Sequence, residues 1–361
     1  MSAIQVLGLG VGDRVKVRPI EEIRETLDQD GCLDALPFMP EMAQCCGREF
    51  TVLKRVDKIN DLVDRSGLRR MSNAVILDGD RCDGAFHGGC QARCQSVWKE
   101  AWLTRLAAKK GQRIDRREDL GASPAARGDD REQVDVDPDL LCASRGSSGG
   151  GDQRFRCQQT EMKKASSYLA WWDPRQYWRD WWSGNATAGE MVRMFLFWLF
   201  TLWVKHIGGY RLLASAYDRL QRLRGGEPYP YRNGNLQETP TCKLDLQSGE
   251  WVQVKSHREI LETLDTHNKN RGLWFDVEMA KYCGGVYRVL SRVDKIIDPK
   301  SGKMLKFASD CIILDGVTTR GEYHRFYPQN EYPFWREIWL RRSGHVTQGA
   351  ARDPDVRRGG H

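Results

Sequence analysis

Residues Leu77–Leu103 read LDGDRCDGAFHGGCQARCQSVWKEAWL, and this stretch decides how the rest of the chain is interpreted. The same frame returns 237 positions later, at Leu314–Leu340, as LDGVTTRGEYHRFYPQNEYPFWREIWL. Glycine, histidine, tryptophan and glutamate positions stay in step, but three cysteines of the first stretch are replaced in the second by Thr319, Tyr327 and Glu331. One stretch therefore carries a thiol-rich cluster, and the other carries its scaffold without the thiols.

The correspondence extends well beyond these two stretches. Gly12–Leu103 aligns with Gly249–Leu340 at the same shift, and about 36 of the 92 positions are identical. A period this long indicates a duplicated domain rather than a solenoid. Each copy contains an alternating Val-x-Val strand, a short amphipathic helix, further strands and a closing tryptophan segment. This order predicts a mainly β fold with α (α+β), made of two homologous small SH3-like barrel domains. An unrelated α+β sheet domain is the alternative.

The composition divides the chain into five segments. The two copies are expected at residues 1–106 and 233–342. The insert at 107–154 is charged and rich in Gly and Ser, so it buries too little apolar area to offset chain entropy and is predicted to be disordered. The same composition predicts a disordered tail at 343–361. Residues 155–232 form an aromatic-rich middle segment that we predict to be helical.

The middle segment contains the strongest apolar run of the chain, Met194–Val204, bracketed by Arg193 and Lys205. A bilayer core needs about 20 apolar residues, so this run is short for a membrane span. We expect a helix at Met191–Val204 that is buried between the two copies. The rival hypothesis is a helix lying in a membrane interface, with its tryptophans at headgroup depth; a true span is a third possibility. A second helix is predicted at Gly209–Arg224.

Composition and charge place mild limits on location and partners. The net charge of +7, from 56 basic and 49 acidic residues, is a modest excess that mostly serves solubility, so nucleic-acid binding is the less favoured alternative. No basic region followed by a long apolar run opens the chain, and eleven cysteines without such a signal indicate free thiols in a reducing compartment. We expect a cytoplasmic protein, with peripheral membrane association as an option.

The thiol-rich stretch has the composition of a metal site. Four potential ligands lie within thirteen residues: Cys82, His87, Cys90 and Cys94. Thiolates and imidazole suit zinc, and glycines between them permit a tight loop. We predict a structural zinc, with an iron–sulfur cluster and unligated thiols as alternatives. Cys157 is a candidate further ligand, and either Asp80 or Asp83 is expected to orient the His87 ring.

Other motifs give weaker signals. Cys46 and Cys283 precede a glycine at the same place in both copies, which predicts core positions rather than a catalytic thiol. The alternating charges at Arg55–Lys58 and Arg292–Lys295 are expected to solvate the open face of a strand. The LGLGVG segment beginning at Leu7 lacks the strand, helix and acidic residue of a dinucleotide-binding loop, so that function is discounted.

Several motifs together resemble an uncharacterised bacterial protein family with a duplicated Cys-containing domain. They are LPFMPEM…CG at Leu36–Gly47, the cysteine stretch at Cys82–Trp102, WWDPRQYWRD at Trp171–Asp180 and YPYRNG at Tyr229–Gly234. The resemblance covers nearly the whole chain except the insert and the tail. It implies cysteines in the second copy too, and this chain departs from that pattern at Thr319, Tyr327 and Glu331. No activity is implied.

These observations favour a metal-binding interaction or accessory module built on a duplicated small barrel. The alternative is an enzyme or redox protein that uses the Cys82–Cys94 thiol cluster with zinc or an iron–sulfur cluster, and a nucleic-acid-binding protein is a further alternative. The expected partner is another protein, and a membrane surface is a second candidate through the helix at 191–204. No catalytic residue is assigned.

Overall fold

The computed structural model describes most of both copies and of the middle segment. The described residues are 6–61, 64, 67–107, 153–206, 210–224, 229–321, 323 and 330–343. Nearly all of the predicted disordered insert at 107–154 and of the tail at 343–361 lies outside these residues. The described part is a mixed α/β structure in which the sheets are mostly antiparallel.

The first copy folds around one five-stranded antiparallel sheet. Its elements are β1 (Arg14–Val17), α1 (Ile20–Arg24), β2 (Cys32–Leu33), β3 (Leu36–Pro37), the 3₁₀ helix η1 (Pro40–Cys45), β4 (Glu49–Arg55), β5 (Lys58–Asn60), β6 (Leu68–Arg70), β7 (Ala74–Arg81), β8 (Gln95–Lys99), η2 (Glu100–Trp102) and β9 (Leu103–Arg105). The strand order is β8-β7-β4-β1-β9. In β1, Val15 and Val17 are buried while Lys16 between them is exposed, which is the alternation expected of a sheet with one face on the core.

The middle segment supplies four helices and one short strand. They are α2 (Gln158–Glu161), β10 (Ser167–Tyr168), α3 (Pro174–Trp182), α4 (Ala188–His206) and α5 (Tyr210–Arg224). Asp173 caps α3 by accepting a hydrogen bond from the Arg175 backbone N–H, and Pro174 occupies the first helical turn. Thr187 and Glu190 hydrogen-bond reciprocally at the start of α4. β10 pairs with β6, so the middle segment docks on the first copy.

The second copy has a sheet of the same strand order. Its elements are β11 (Trp251–Val254), α6 (His257–Leu261), β12 (Lys269–Asn270), β13 (Leu273–Trp274), η3 (Val277–Tyr282), β14 (Val286–Ile297), β15 (Met304–Leu314), β16 (Trp335–Arg336), η4 (Glu337–Trp339) and β17 (Leu340–Arg342). The order β16-β15-β14-β11-β17 matches that of the first sheet, with β1 and β11 in equivalent places. The pairing is antiparallel throughout both five-stranded sheets.

An aromatic triad fills the core of each copy. In the first copy the rings of Phe38, Trp98 and Trp102 meet edge to face at centroid distances of 5.3 to 6.4 Å. The equivalent rings in the second copy are Phe275, Trp335 and Trp339, at 5.4 to 6.4 Å. Edge-to-face pairs contribute stability beyond the apolar area they bury. The tryptophan spacing that repeats in the sequence therefore encodes the core of both copies.

A buried carboxylate joins each sheet to the segment that precedes it. Glu100 accepts hydrogen bonds from the backbone N–H groups of Leu7, Gly8 and Leu9 at 2.8 to 3.0 Å, and Arg55 donates to it at 2.5 Å. In the second copy the equivalent acceptor is Glu337 and the equivalent donors are Leu244, Asp245, Leu246 and Arg292. The backbone N–H groups of the LGLGVG segment therefore bind the Glu100 carboxylate of the same chain.

The alternating charges at Arg55–Lys58 do not solvate an open strand face as predicted. Arg55 pairs with Glu100, and Lys58 is 1% exposed and pairs with the buried carboxylate of Asp180 in α3 at 2.5 Å. Arg292 likewise pairs with Glu337. The prediction was wrong because a strand-surface pattern also fits residues that meet buried partners from other elements.

The apolar helix forms as predicted, but its predicted burial between the two copies is wrong. The helix at 191–204 lies within α4, yet Phe195 is 57% exposed, Trp198 45% and Leu199 42%. No helix in the described part of the chain is long and apolar enough to cross a membrane.

Replacing Glu100 by Gln is expected to lower the free energy of unfolding by about 3 kcal/mol, because the backbone cradle and Arg55 lose their anionic partner in a buried site. Burial alone would raise the pKa of Glu100, but hydrogen bonds from Leu9 and Arg55 outweigh it and hold the pKa below its usual value. The contribution is therefore present above pH 4.5 and is lost as the pH falls through the lower folded-state pKa.

Urea unfolding of E100Q and of the unmodified protein between pH 3 and pH 7 measures this effect, with the exposed Glu22→Gln as the matched control. An E100Q deficit that is absent at pH 7, or that grows below pH 4.5, would contradict the assignment.

Candidate metal centre

The cysteine loop, residues 82–94, joins β7 to β8. The backbone N–H of Cys82 donates to the carbonyl of Cys94 at 2.9 Å and closes the base of the loop. Inside the loop the Gly84 carbonyl accepts from the backbone N–H groups of His87 and Gly89. Gly84 has a φ of +76°, and a Cβ at this position would lie 1.9 Å from the Cys90 carbonyl oxygen. Only glycine fits there, and this requirement fixes the path of the loop.

Two residues of the cysteine loop, Cys82 and His87, lie close to Glu41 of η1, and all three are potential metal ligands. The Cys82 Sγ lies 3.7 Å from the His87 Nδ1, and the Glu41 Oε1 of η1 lies 3.6 Å from the same nitrogen. One ligand atom from each of the three residues lies within 4.8 Å of the other two. A separation of 3.6 Å is too long for an N–H···O hydrogen bond, whereas neighbouring ligands of a tetrahedral zinc ion lie roughly 3.3 to 4 Å apart. The three groups could therefore hold a metal ion.

His87 is buried, and Glu41 and Cys82 are partly buried. His87 is 1% exposed and the side chain of Glu41 is 9% exposed. Among the described residues, the Glu41 Oε2 and the His87 Nε2 have no hydrogen-bond partner. Buried polar atoms are nearly always paired, and an unpaired buried carboxylate oxygen is costly. An ion beside the carboxylate would satisfy it.

Burial disfavours the charged form of each of the three groups. It raises the pKa of Glu41 to about 7 and lowers the pKa of His87 to about 4. Burial, followed by the charge of Glu41 and a hydrogen bond to it, also raises the pKa of Cys82. A divalent ion would reverse this effect for the thiol and the carboxyl, since its charge favours the thiolate and the carboxylate. The neutral imidazole is already the form that binds metals.

Cys90 and Cys94 lie on the same loop but outside this group of three. The Cys90 Sγ accepts a hydrogen bond from the Ile297 backbone N–H of β14 at 3.4 Å. Burial raises the pKa of Cys94, and the charges of Glu331, Cys157, Cys82 and Cys90 raise it further. Both thiols therefore interact electrostatically with Cys82. The four-residue ligand set of the sequence stays a prediction, with two of its members already together.

Cys157 lies at the N-terminus of α2, in the middle segment. Its backbone N–H donates to the Thr160 hydroxyl at 3.1 Å, and burial raises its pKa to about 11. The charges of Cys90 and Glu41 also raise its pKa. The middle segment therefore adds a thiol to the surroundings of the candidate site.

The second copy treats the equivalent carboxylate differently. Glu278 stands 237 positions after Glu41 and is completely buried. It accepts hydrogen bonds from the backbone N–H groups of Arg320, Gly321 and Tyr323 at 2.5 to 3.2 Å. Its loop therefore closes on the carboxylate through the backbone, where the loop of the first copy presents a thiol and an imidazole.

The base of the loop is the same in both copies. The Thr319 N–H donates to the Glu331 carbonyl at 2.9 Å, as the Cys82 N–H does to Cys94. His324 and Tyr327 lie outside the described residues. Thr319 and Glu331 therefore form the same backbone hydrogen bond as Cys82 and Cys94, although their side chains carry no thiol.

The cysteine loop also forms a contact between the two copies. The Gln91 Oε1 accepts from the backbone N–H groups of Asp294 and Lys295 in β14, at 2.6 and 3.1 Å. The Lys295 Nζ donates to the Gly88 carbonyl at 2.8 Å. A ligand that fixes the loop would therefore also fix the position of β14 against the first copy.

Sequence reasoning found Cys82 and His87 but missed Glu41. The glutamate had a signal, because Glu41 and Glu278 stand before a methionine at the same place in both copies. Asp80 does not orient His87 as proposed, since it accepts from the Trp98 indole N–H at 2.7 Å and from the Cys45 thiol. The charge of Asp83 does act on His87, whose pKa it raises against the larger effect of burial.

Comparison of the chain with models of protein families, with curated proteins and with solved structures found no match in any of the three. The resemblance to a bacterial family stays a prediction. The function proposed for this chain is therefore inferred from the geometry of its candidate metal centre.

Replacing Gly84 by Ala is expected to distort the cysteine loop and to lower the free energy of unfolding by more than the ~1–2 kcal/mol that a left-handed conformation costs alanine. The excess comes from the overlap of the new Cβ with the Cys90 carbonyl. Gly47→Ala is a matched control, because Gly47 has a φ of +75° and open space around its Cβ position. Equal losses in G84A and G47A, measured by urea unfolding, would show that the described packing of the loop is incorrect.

Proposed function

We propose that this chain is a zinc-binding interaction or accessory protein, in which the first copy holds one ion with Glu41, Cys82 and His87. The observation that carries the proposal is the convergence of one ligand atom from each of the three residues within 4.8 Å, with one carboxylate oxygen of Glu41 that has no hydrogen-bond partner among the described residues. The difference between the two copies also supports the proposal. The second copy satisfies the same buried carboxylate with backbone N–H groups, and the first copy does not.

The mixture of ligand atoms favours zinc over the alternatives. Sulfur, nitrogen and oxygen ligands together suit a borderline ion that prefers four-coordinate tetrahedral geometry. Iron–sulfur clusters are held mainly by cysteine thiolates, and calcium or magnesium by oxygen atoms. Cys90 and Cys94 are the candidates for the fourth position, because each interacts electrostatically with Cys82.

The burial of the site supports a structural ion. A catalytic zinc keeps one position open to water or substrate, whereas His87 and Glu41 are almost fully enclosed. The ion would tie η1 to the cysteine loop, and the loop contacts β14 of the second copy. Metal binding would therefore help to fix the contact between the cysteine loop and β14 of the second copy.

The thiols give less support to a redox or nucleophilic function. Reactive cysteines have a lowered pKa and partial exposure, whereas burial raises the pKa of Cys94 and, to about 11, the pKa of Cys157. Burial also raises the pKa of Cys46 to about 11. A raised pKa is typical of a protonated thiol in a protein core, or of a thiol that is deprotonated only when a metal binds, and not of a nucleophile.

The two copies are inferred to be duplicated SH3-like units. The shared strand order, the paired aromatic triads and the paired Glu100 and Glu337 cradles support a common origin. Loss of the thiols from one copy after duplication would leave one metal site per chain.

Glu41→Gln is expected to lower zinc affinity at least about a hundredfold, since even groups that only support a ligand contribute 10- to 100-fold. Glu278→Gln is the matched control in the second copy. It should bind zinc normally but lose about 1–3 kcal/mol of stability, because its carboxylate holds three backbone N–H groups. Competition with a chromophoric chelator measures affinity, and elemental analysis measures zinc content. Equal zinc binding by E41Q and E278Q would refute the assignment.

Cobalt substitution tests the thiol directly. The Co²⁺-loaded protein should show sulfur-to-cobalt charge-transfer absorbance that disappears in Cys82→Ser and persists in Cys242→Ser, where an exposed cysteine outside the site is changed. Cys90→Ser and Cys94→Ser identify the fourth ligand in the same assay. Unchanged absorbance in C82S would exclude Cys82 as a ligand.

A further inference from the structure

Helix α4 has two apolar faces, and only one is covered within the described residues. On the covered face, Phe197 and Phe200 pack against the rings of Tyr217 and Tyr229, and Phe197 also meets Tyr323, at centroid distances of 5.4 to 6.1 Å. A neighbouring face is exposed by 42 to 60% per residue and consists of Val192, Phe195, Leu196, Leu199 and Trp203. Its spacing of three, four, seven and eleven positions defines a single stripe along the helix.

Helix α3 carries a second exposed stripe, of mixed character. Arg175, Trp178, Arg179 and Trp182 stand at positions three, four and seven apart, and all four side chains are exposed. Trp178 is 61% exposed and Trp182 is 78% exposed. Arg175 pairs with Asp173, whereas Arg179 makes no ion pair with any described residue. Trp171 and Trp172, just before the helix, are exposed by 52 and 69%.

Exposed apolar surface of this extent on a folded chain marks an interaction site. α3, with its exposed tryptophan and arginine, directly precedes the apolar stripe of α4 in the chain, and this composition is typical of segments that lie in a lipid headgroup region, where indole rings and arginine stems are amphipathic. The exposed guanidinium of Arg179, which has no ionic partner among the described residues, suits the phosphate of an anionic lipid. The stripe from Val192 to Trp203 is roughly 17 Å long and presents a continuous apolar line to a flat surface.

We propose that the exposed faces of α3 and α4 bind the surface of an anionic membrane without crossing it. Val192, Phe195, Leu196 and Leu199 enter the acyl boundary, the tryptophans occupy the headgroup layer, and Arg179 meets lipid phosphate. A protein partner or a second copy of the chain could cover the same apolar stripe, and the experiment below separates these occupants.

The full-length protein is mixed with vesicles of neutral phosphatidylcholine, or of phosphatidylcholine with roughly 30% phosphatidylglycerol, and floated on a density gradient. The protein should float with the anionic vesicles and only weakly with the neutral ones, and its tryptophan emission should shift to the blue. Brominated acyl chains should quench that emission. The double variant F195S/L199S should reduce binding to anionic vesicles at least about tenfold.

The control variant is Leu305→Ser, because Leu305 is a 49% exposed apolar residue of the strand β15 and belongs to neither helix. R179Q should reduce the preference for anionic over neutral vesicles. Circular dichroism of each variant establishes that the fold is intact. The proposal is overturned if the unmodified protein stays unbound to anionic vesicles, if L305S reduces binding as much as F195S/L199S, or if sedimentation shows a dimer that F195S/L199S dissolves and vesicles do not compete with.

Discussion

A buried carboxylate must be paired, and this requirement organises both copies of the chain. Glu100 and Glu337 meet it with three backbone N–H groups and an arginine each. Glu278 meets it with backbone N–H groups of its own loop. Of these four carboxylates, Glu41 is the one with an oxygen that has no hydrogen-bond partner among the described residues, and it lies beside a thiol and an imidazole. The candidate metal centre therefore lies at the carboxylate whose oxygens are not both paired with a hydrogen-bond donor or a cation.

The comparison between the copies explains how one can stand without a metal. In the second copy the loop is held by the Glu278 carboxylate and by the core around Trp335 and Trp339. In the first copy the same core is present, but the glycine-dependent loop turns side chains rather than backbone toward Glu41. A metal would replace the missing backbone bonds. Its effect would reach the second copy because Gln91 of this loop binds β14.

The sequence could predict what depends on local pattern. The shift of 237 positions, the Val-x-Val strands and the α4 helix are local properties, and Cys82 and His87 share one loop. Glu41 could not be found the same way, because a ligand from η1 reaches the loop only through the folded core. The exposure of Phe195 and Leu199 was also hidden, since a helix that is apolar on every side does not reveal which side the protein covers.

X-ray absorption spectroscopy of the zinc-loaded protein tests the central claim most directly, because it reports the atoms bound to the ion. With Glu41, Cys82 and His87 as ligands, the first shell must contain sulfur at about 2.3 Å together with nitrogen or oxygen at about 2.0–2.2 Å. Imidazole carbons should also appear in the outer-shell scattering. A shell of four sulfur atoms, or one with no sulfur at all, would contradict the account.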